Sequence, residues 1–183
     1  MPAPLEAQVG GRYRLMVGAN INSLNPWDAD VGTDTGPGLL LRGVPHRGWG
    51  PVIDYSRFEL DLRRGPAEPR LGTLLLRAPI GGIGYTFERK RVAVTLHAAV
   101  GWGFNRASTE PEVVARDGAR FEAKDRLLFR GGVTFTQSVG TRFALVGSAG
   151  ALLHDPKITL RTETGTWRTN GLVWEVGAAY KVF

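Results

Sequence analysis

The chain has 183 residues, no cysteine, 25 glycines, 11 prolines and a net charge of +6. That length fits one domain, and the lack of thiols rules out disulfides, thiolate metal sites and thiol catalysis. The basic residues are dispersed, with ERKR at 88–91 as the densest run. With no zinc-finger spacing, RNA-binding aromatic motif or basic helix, the charge gives no ground for a nucleic-acid partner.

No apolar stretch reaches the ~18 residues that a membrane-crossing helix requires. Met1 is followed by PAPLEAQVGG, which lacks the apolar core of a signal peptide. An exported form would have had its leader removed or replaced. Residues 1–10 read as a flexible N-terminal segment and 11–183 as a single domain.

From residue 11 onward the pattern has a period of two, which predicts strands rather than helices. The first segment, 11–23, sets Leu15, Val17, Ala19 and Ile21 against Arg12, Arg14, Asn20 and Asn22. The second, 36–46, carries Arg42 and His46 on one parity. The third, 52–63, sets Phe58, Leu60 and Leu62 against Tyr55, Arg57, Glu59 and Asp61. In the fourth, 70–88, the apolar parity changes from Leu74, Leu76, Ala78 and Ile80 to Ile83, Tyr85 and Phe87. That change predicts a bulge at Gly81-Gly82. The fifth, 92–106, alternates most regularly: Val94, Leu96, Ala98, Val100, Trp102 and Phe104 lie between Thr95, His97, Ala99, Gly101 and Gly103. The sixth spans 122–138, the seventh 142–162 with Pro156 inside it, and the eighth 166–183.

The connections alternate in length. RGWGP (47–51), RKR (89–91) and VGT (139–141) are tight, whereas 23–36, 63–69, 106–122 and 162–167 are long and polar. In an up-and-down antiparallel barrel the tight turns then share one end with both termini. The fold class expected is all-β, a closed eight-stranded antiparallel transmembrane barrel. Lipid offers no hydrogen bonds to a backbone, so such a sheet closes on itself and turns its apolar parity outward. Val94, Leu96, Ala98, Val100, Leu127, Val133, Trp174 and Val176 are expected to face out, and Thr95, His97, Arg130 and Glu175 to face in. A narrow interior is filled by side chains, here an interior polar plug of Arg14, Arg42, Glu59, Arg130 and Glu175. Buried charges demand partners. Glu175 is expected to pair with Arg14 or Arg130, and Glu59 with Arg57, Arg42 or another inward arginine. Aromatics should gather in two girdles: Tyr13, Trp49, Tyr85, Phe87, Phe143, Tyr180 and Phe183 at one end, and Trp102, Phe104 and Trp167 at the other.

The final stretch, LVWEVGAAYKVF, alternates and stops on Phe183. It resembles the C-terminal assembly signal of bacterial outer-membrane proteins. Tyr180 and Phe183 are its aromatics, although Lys181 stands where that signal commonly has one. As a whole, 11–183 resembles the small eight-stranded outer-membrane barrels of the OmpA/OmpX/OmpW-like group. The resemblance implies residence in the bacterial outer membrane, outer-membrane lipid as surroundings and handling by the barrel-assembly machinery. It also implies that the outer loops are where an envelope or surface partner would bind; the longest of them is 106–122.

Chemistry is sparse. His46 lies at a turn, and His97 faces inward with Ala99 where a serine would be needed for a lipid-hydrolysing pair. His154 has Asp155 beside it, on the opposite face of a strand. No spacing suits a metal, and no cofactor or catalytic residue is expected. The function expected is a non-enzymatic barrel with structural, adhesive or envelope-stabilising work and a plugged interior. The alternatives are a soluble lipocalin-like ligand-binding barrel, which would keep its apolar parity inside, and an outer-membrane lipid-modifying enzyme.

Overall fold

The alternating segments pair with their chain neighbours, and the last returns to the first. The computed structural model describes residues 14–65, 67–118, 120–160, 163–165 and 167–182. Its strands are β1 (Arg14–Pro26), β2 (Asp34–Val44), β3 (Arg47–Leu62), β4 (Gly72–Arg89), β5 (Val92–Thr109), β6 (Phe121–Ala123), β7 (Arg126–Val139), β8 (Phe143–Leu153), β9 (Ile158–Leu160), β10 (Glu163–Gly165) and β11 (Gly171–Lys181). Eight of them close a barrel in the order β1-β11-β8-β7-β5-β4-β3-β2. Every pairing is antiparallel, and the closure runs from Met16↔Lys181 to Pro26↔Gly171. The calls on Arg12, Tyr13, Phe183 and the first ten residues fall outside the described residues.

The strand parities match the membrane reading. Leu96, Val100, Leu127, Trp174 and Val176 are exposed, whereas Thr95, His97, Arg130 and Glu175 are buried. On β5 the outward residues from Val92 to Phe104 cover about 30 Å of height at the usual rise and tilt. At the turn end, Trp49, Tyr85 and Phe87 form a run of ring contacts at 5.2 and 4.8 Å, and Phe143 meets Tyr180 at 5.5 Å. At the loop end, Trp102 and Phe104 are exposed on the wall.

Several expectations are corrected. The β2–β3 turn is Pro45-His46, and RGWGP belongs to β3. There is no bulge at Gly81-Gly82: β3 and β4 pair in unbroken register from Arg47↔Phe87 to Leu62↔Gly72. The backbone parity holds and the side-chain chemistry changes, because the inward face of β4 turns from Thr86 and Gly84 to Ile80, Leu76 and Leu74. Phe58, Leu60, Leu62, Leu74 and Leu76 therefore point into the barrel, and each is at most 1% exposed. The seventh segment ends at Leu153, before Pro156, and the eighth begins at Gly171.

The loop end is built up above the wall. The long β5–β7 connection holds α1 (Pro111–Asp117), opened by a proline at its first turn and closed by Gly118 at φ 62°. It then contributes β6 to a three-stranded sheet in the order β10-β9-β6, whose other strands come from the β8–β11 connection. Phe121 and Trp167 meet edge to face at 5.3 Å beneath this clasp, and the Trp167 indole donates to the Arg63 carbonyl at 2.8 Å. Trp167 is thus a buried lid residue and not a girdle aromatic.

Candidate functional site

The barrel interior is stacked in tiers, each drawn from the inward parity of every strand. Toward the turns, Met16, Leu40, Val44, Ala93, Ala144, Val146 and Ala179 form a small apolar floor. Below it, at the rim, Arg14 Nη2 donates to both Glu88 oxygens at 2.6 Å, and His46 Nδ1 lies 2.6 Å from Glu88 Oε2. Arg14 therefore pairs with Glu88 and not with Glu175, because β1 begins at the turn end whereas Glu175 sits halfway up β11.

The middle tier is the charged plug. Arg42 Nη2 donates to Asp54 Oδ2 at 3.1 Å and to Glu175 Oε2 at 3.4 Å. Its Nη1 donates to the Thr134 hydroxyl, which lies 3.4 Å from His97 Nδ1. Arg130 Nη1 lies 2.7 Å from Glu175 Oε1, as an ion pair without hydrogen-bond alignment. The side chains of Arg42, Arg130, Asp54 and Glu175 are at most 2% exposed. Two guanidinia thus face two carboxylates, so the tier is neutral overall, as buried charges must be to be tolerated. Asn20 and Asn22 border it, joined by a 3.3 Å bond.

This tier needs room, and glycine supplies it. A Cβ on Gly38 would collide with the Asn20 and Asn22 side-chain amides and lie 2.7 Å from the Tyr55 carbonyl oxygen. Gly38→Val is expected to destabilise the barrel by about 1–3 kcal/mol, since an overfilled interior must shift backbone or rotamers. The midpoint of urea unfolding in lipid vesicles checks this, and an unchanged midpoint would show that the asparagines move aside freely.

The outer tier is apolar. Leu24, Val31, Phe58, Leu60, Leu62, Leu74, Leu76, Ile80, Leu128, Leu152 and Val173 pack in one cluster with Phe121, Ile158, Leu160 and Trp167 of the clasp. Membrane-barrel interiors are ordinarily polar, so this packed apolar core is the least expected part of the molecule.

Of the five plug residues read from sequence, Arg42, Arg130 and Glu175 meet, and Arg14 sits at the rim. Glu59 is a correction: it faces outward, its side chain is 59% exposed, and it lies 3.7 Å from the equally outward Arg57. The parity that buries Phe58 and Leu60 leaves it no other direction. Asp54 takes the role assigned to it. Its position in VIDYS on the inward parity of β3 was the available signal, and Glu88 was hidden in the charge run ERKR.

Tyr180 faces outward at the turn end beside Phe143. His154, just past β8, is buried: Nδ1 lies 2.7 Å from the Thr169 hydroxyl, which donates to the His154 carbonyl at 2.9 Å. Asp155 is exposed on the other side. Among the described residues no cluster of three or more His, Cys, Asp or Glu could hold a metal ion.

An antiparallel eight-stranded barrel with an apolar belt outside and charges inside is a transmembrane barrel of the bacterial outer-membrane type, and the exposed belt requires lipid around it. No protein-family model matches the chain, and no curated protein matches it. Solved structures do. OprG of Pseudomonas aeruginosa, an outer-membrane protein, aligns with a TM-score of 0.78 at 14% identity over 93% of this chain and 96% of its own. Neisserial surface protein A aligns with a TM-score of 0.56 at 14% identity, over 93% of this chain and 96% of its own. Ail, the attachment invasion locus protein of Yersinia pestis, gives 0.53 at 13% identity, over 93% and 98%. The protein resides in the bacterial outer membrane, and short turns at one end with long loops at the other are the arrangement in which the turns ordinarily face the periplasm.

Proposed function

We propose that this protein is a non-enzymatic outer-membrane barrel that bars ions and takes small apolar molecules into its outer half. The observation that carries the reading is the apolar outer tier, which stands directly on the charged plug. A polar solute gains nothing by parting this packed apolar core, and an apolar one is stabilised by roughly 25 cal/mol per Å² of surface removed from water. The plug leaves the bilayer as the way out. The β4–β5 wall is weakest between Arg77↔Phe104 and Ile80↔Gly101, where Pro79 has no N–H to give although the strands stay in register and in contact. The C-terminal strand, with Tyr180 on its outer face, serves as the assembly signal in this reading.

The test uses an alkyl diazirine photolysed with the full chain in phospholipid nanodiscs. Adducts at Leu60, Leu74 and Leu76, suppressed by excess octane, are the outcome that fits. A second reading, a structural or adhesive barrel working through its outer loops, is favoured by the clasp that ties those loops together. Adducts confined to outward residues such as Leu96 and Val100 would select it. Both readings predict no steady wild-type conductance in a planar bilayer, and a sustained current would defeat the plug.

A further inference from the structure

The outer wall carries a cluster of positive charge at the loop-end edge of its apolar belt. On β3 and β4, Arg57 and Arg77 are directly opposite each other. Both face outward and are exposed. Like charges set opposite across a ladder destabilise it. Arg106 on β5, paired with Leu75, extends the cluster diagonally from Arg77, whose own β5 partner is Phe104.

Two carboxylates stand near. Glu59 lies 3.7 Å from Arg57, and Asp125 accepts the Asn105 backbone N–H at 2.7 Å. Arg77 and Arg106 have no ion pair among the described residues, so the wall keeps an uncompensated positive edge.

Its depth and shape give that edge a meaning. Phe104 closes the apolar belt on β5, and Arg106 lies two residues beyond it, about 5 Å higher, at headgroup level. Arg77 and Arg106 flank a concavity of about 470 Å³ that Tyr55, Pro79, Phe104 and the Asp125 carboxylate also line. Two guanidinia against one carboxylate leave it net cationic, and its aromatic and proline side suits an acyl chain, so it matches one amphipathic molecule. The opposite wall lacks the feature: near the loop end, Ile21, Ser23 and Asn25 of β1, Leu172 of β11 and Leu153 of β8 are uncharged. A general attraction to an anionic leaflet would not need one-sided charge.

We infer that the β3–β4–β5 wall binds the phosphate-bearing headgroup of an outer-leaflet glycolipid. Arg77 and Arg106 donate to the phosphate, Arg57 adds charge, and an acyl chain lies along Tyr55, Pro79 and Phe104. Guanidinium suits this because it offers phosphate paired donors. The site is on the outside of the wall and does not depend on any solute entering the barrel.

The experiment uses the full chain in phosphatidylcholine nanodiscs doped with diphosphorylated lipid A, and native mass spectrometry counts the retained glycolipid after mild detergent release. Wild type should retain it at least about tenfold better than R77Q/R106Q, the scale of one or two lost charge-assisted bonds. R77K/R106K should fall between, and K90Q at the far turn should match wild type. A second comparison uses wild type alone: retention should drop when the lipid A is dephosphorylated, and millimolar inorganic phosphate should not displace the intact lipid. Equal retention by wild type and the double glutamine variant overturns the inference. So does indifference to the phosphates, or ready displacement by free phosphate, which would mark a site for the ion.

Discussion

Glu175→Ala is expected to destabilise the barrel by about 3–5 kcal/mol, the usual cost of leaving a buried charge without its partner. Glu175 touches both arginines of the plug, Arg42 at 3.4 Å and Arg130 at 2.7 Å. Arg42 keeps Asp54 when Glu175 is removed. Arg130 has no other ion pair among the described residues, and the remaining carboxylate of the tier, Asp54, is paired with Arg42 and acts on Arg130 only from a distance. The loss should therefore be greatest around Arg130, and Glu175→Ala/Arg130→Ala should recover part of it. Urea unfolding in phospholipid vesicles measures the difference. A wild-type midpoint for the single variant would mean that water already solvates Arg130, and the plug would then not be a dry seal.

Val176→Arg, one residue away, tests the opposite face. Val176 is 72% exposed and halfway along β11, opposite Ile21 of β1 and Gly147 of β8. A guanidinium there has hydrocarbon around it, and the cost at the bilayer midplane is about 2–4 kcal/mol. Thr35→Arg, outward but near the loop end of β2, should cost about 0–1 kcal/mol because depth sets the penalty. Folding yield and unfolding midpoint in vesicles check both. Equal penalties would mean that the belt is not positioned in the membrane as its aromatics indicate.

What the sequence could show follows from what its two parities contain. On β5, β7 and β11 one face is apolar and the other small or charged, so alternation alone oriented Leu96, His97, Trp174 and Glu175 correctly. On the loop-side half of β3 and β4 this contrast disappears. Phe58, Leu60, Leu74 and Leu76 look like lipid-facing residues, and Arg57, Glu59 and Arg77 look like interior ones; the structure reverses both groups. Periodicity reports that two faces differ but not which is inside. The direction is fixed by register: Val52 and Asp54 are inward near the turns, and an unbroken strand carries that parity up to Leu62. The charge at Arg57 and Arg77 is tolerable outside because these residues reach headgroup depth, which no local pattern encodes. The clasp was hidden for a different reason. Its strands are three residues each and pair across separate loops, Phe121↔Leu160 through Ala123↔Ile158, so neither half shows an alternation long enough to read.

The outer connections are bonded to one another as well as to the wall. Trp27 N–H donates to the Asn170 carbonyl, Gly32 to Asp61, Arg63 to Asp30, Glu110 to Leu71 and Lys124 to Lys157. Together with β6 and β9, these links stitch all four loops into a continuous collar. A protease working at the cell surface would therefore meet few free ends to pull on. A single cut would leave both fragments held by neighbouring segments, so the nicked chain should migrate as one species until it is fully denatured. The same stitching restricts how such a surface can diversify, because lengthening one connection displaces the partners to which it is laced.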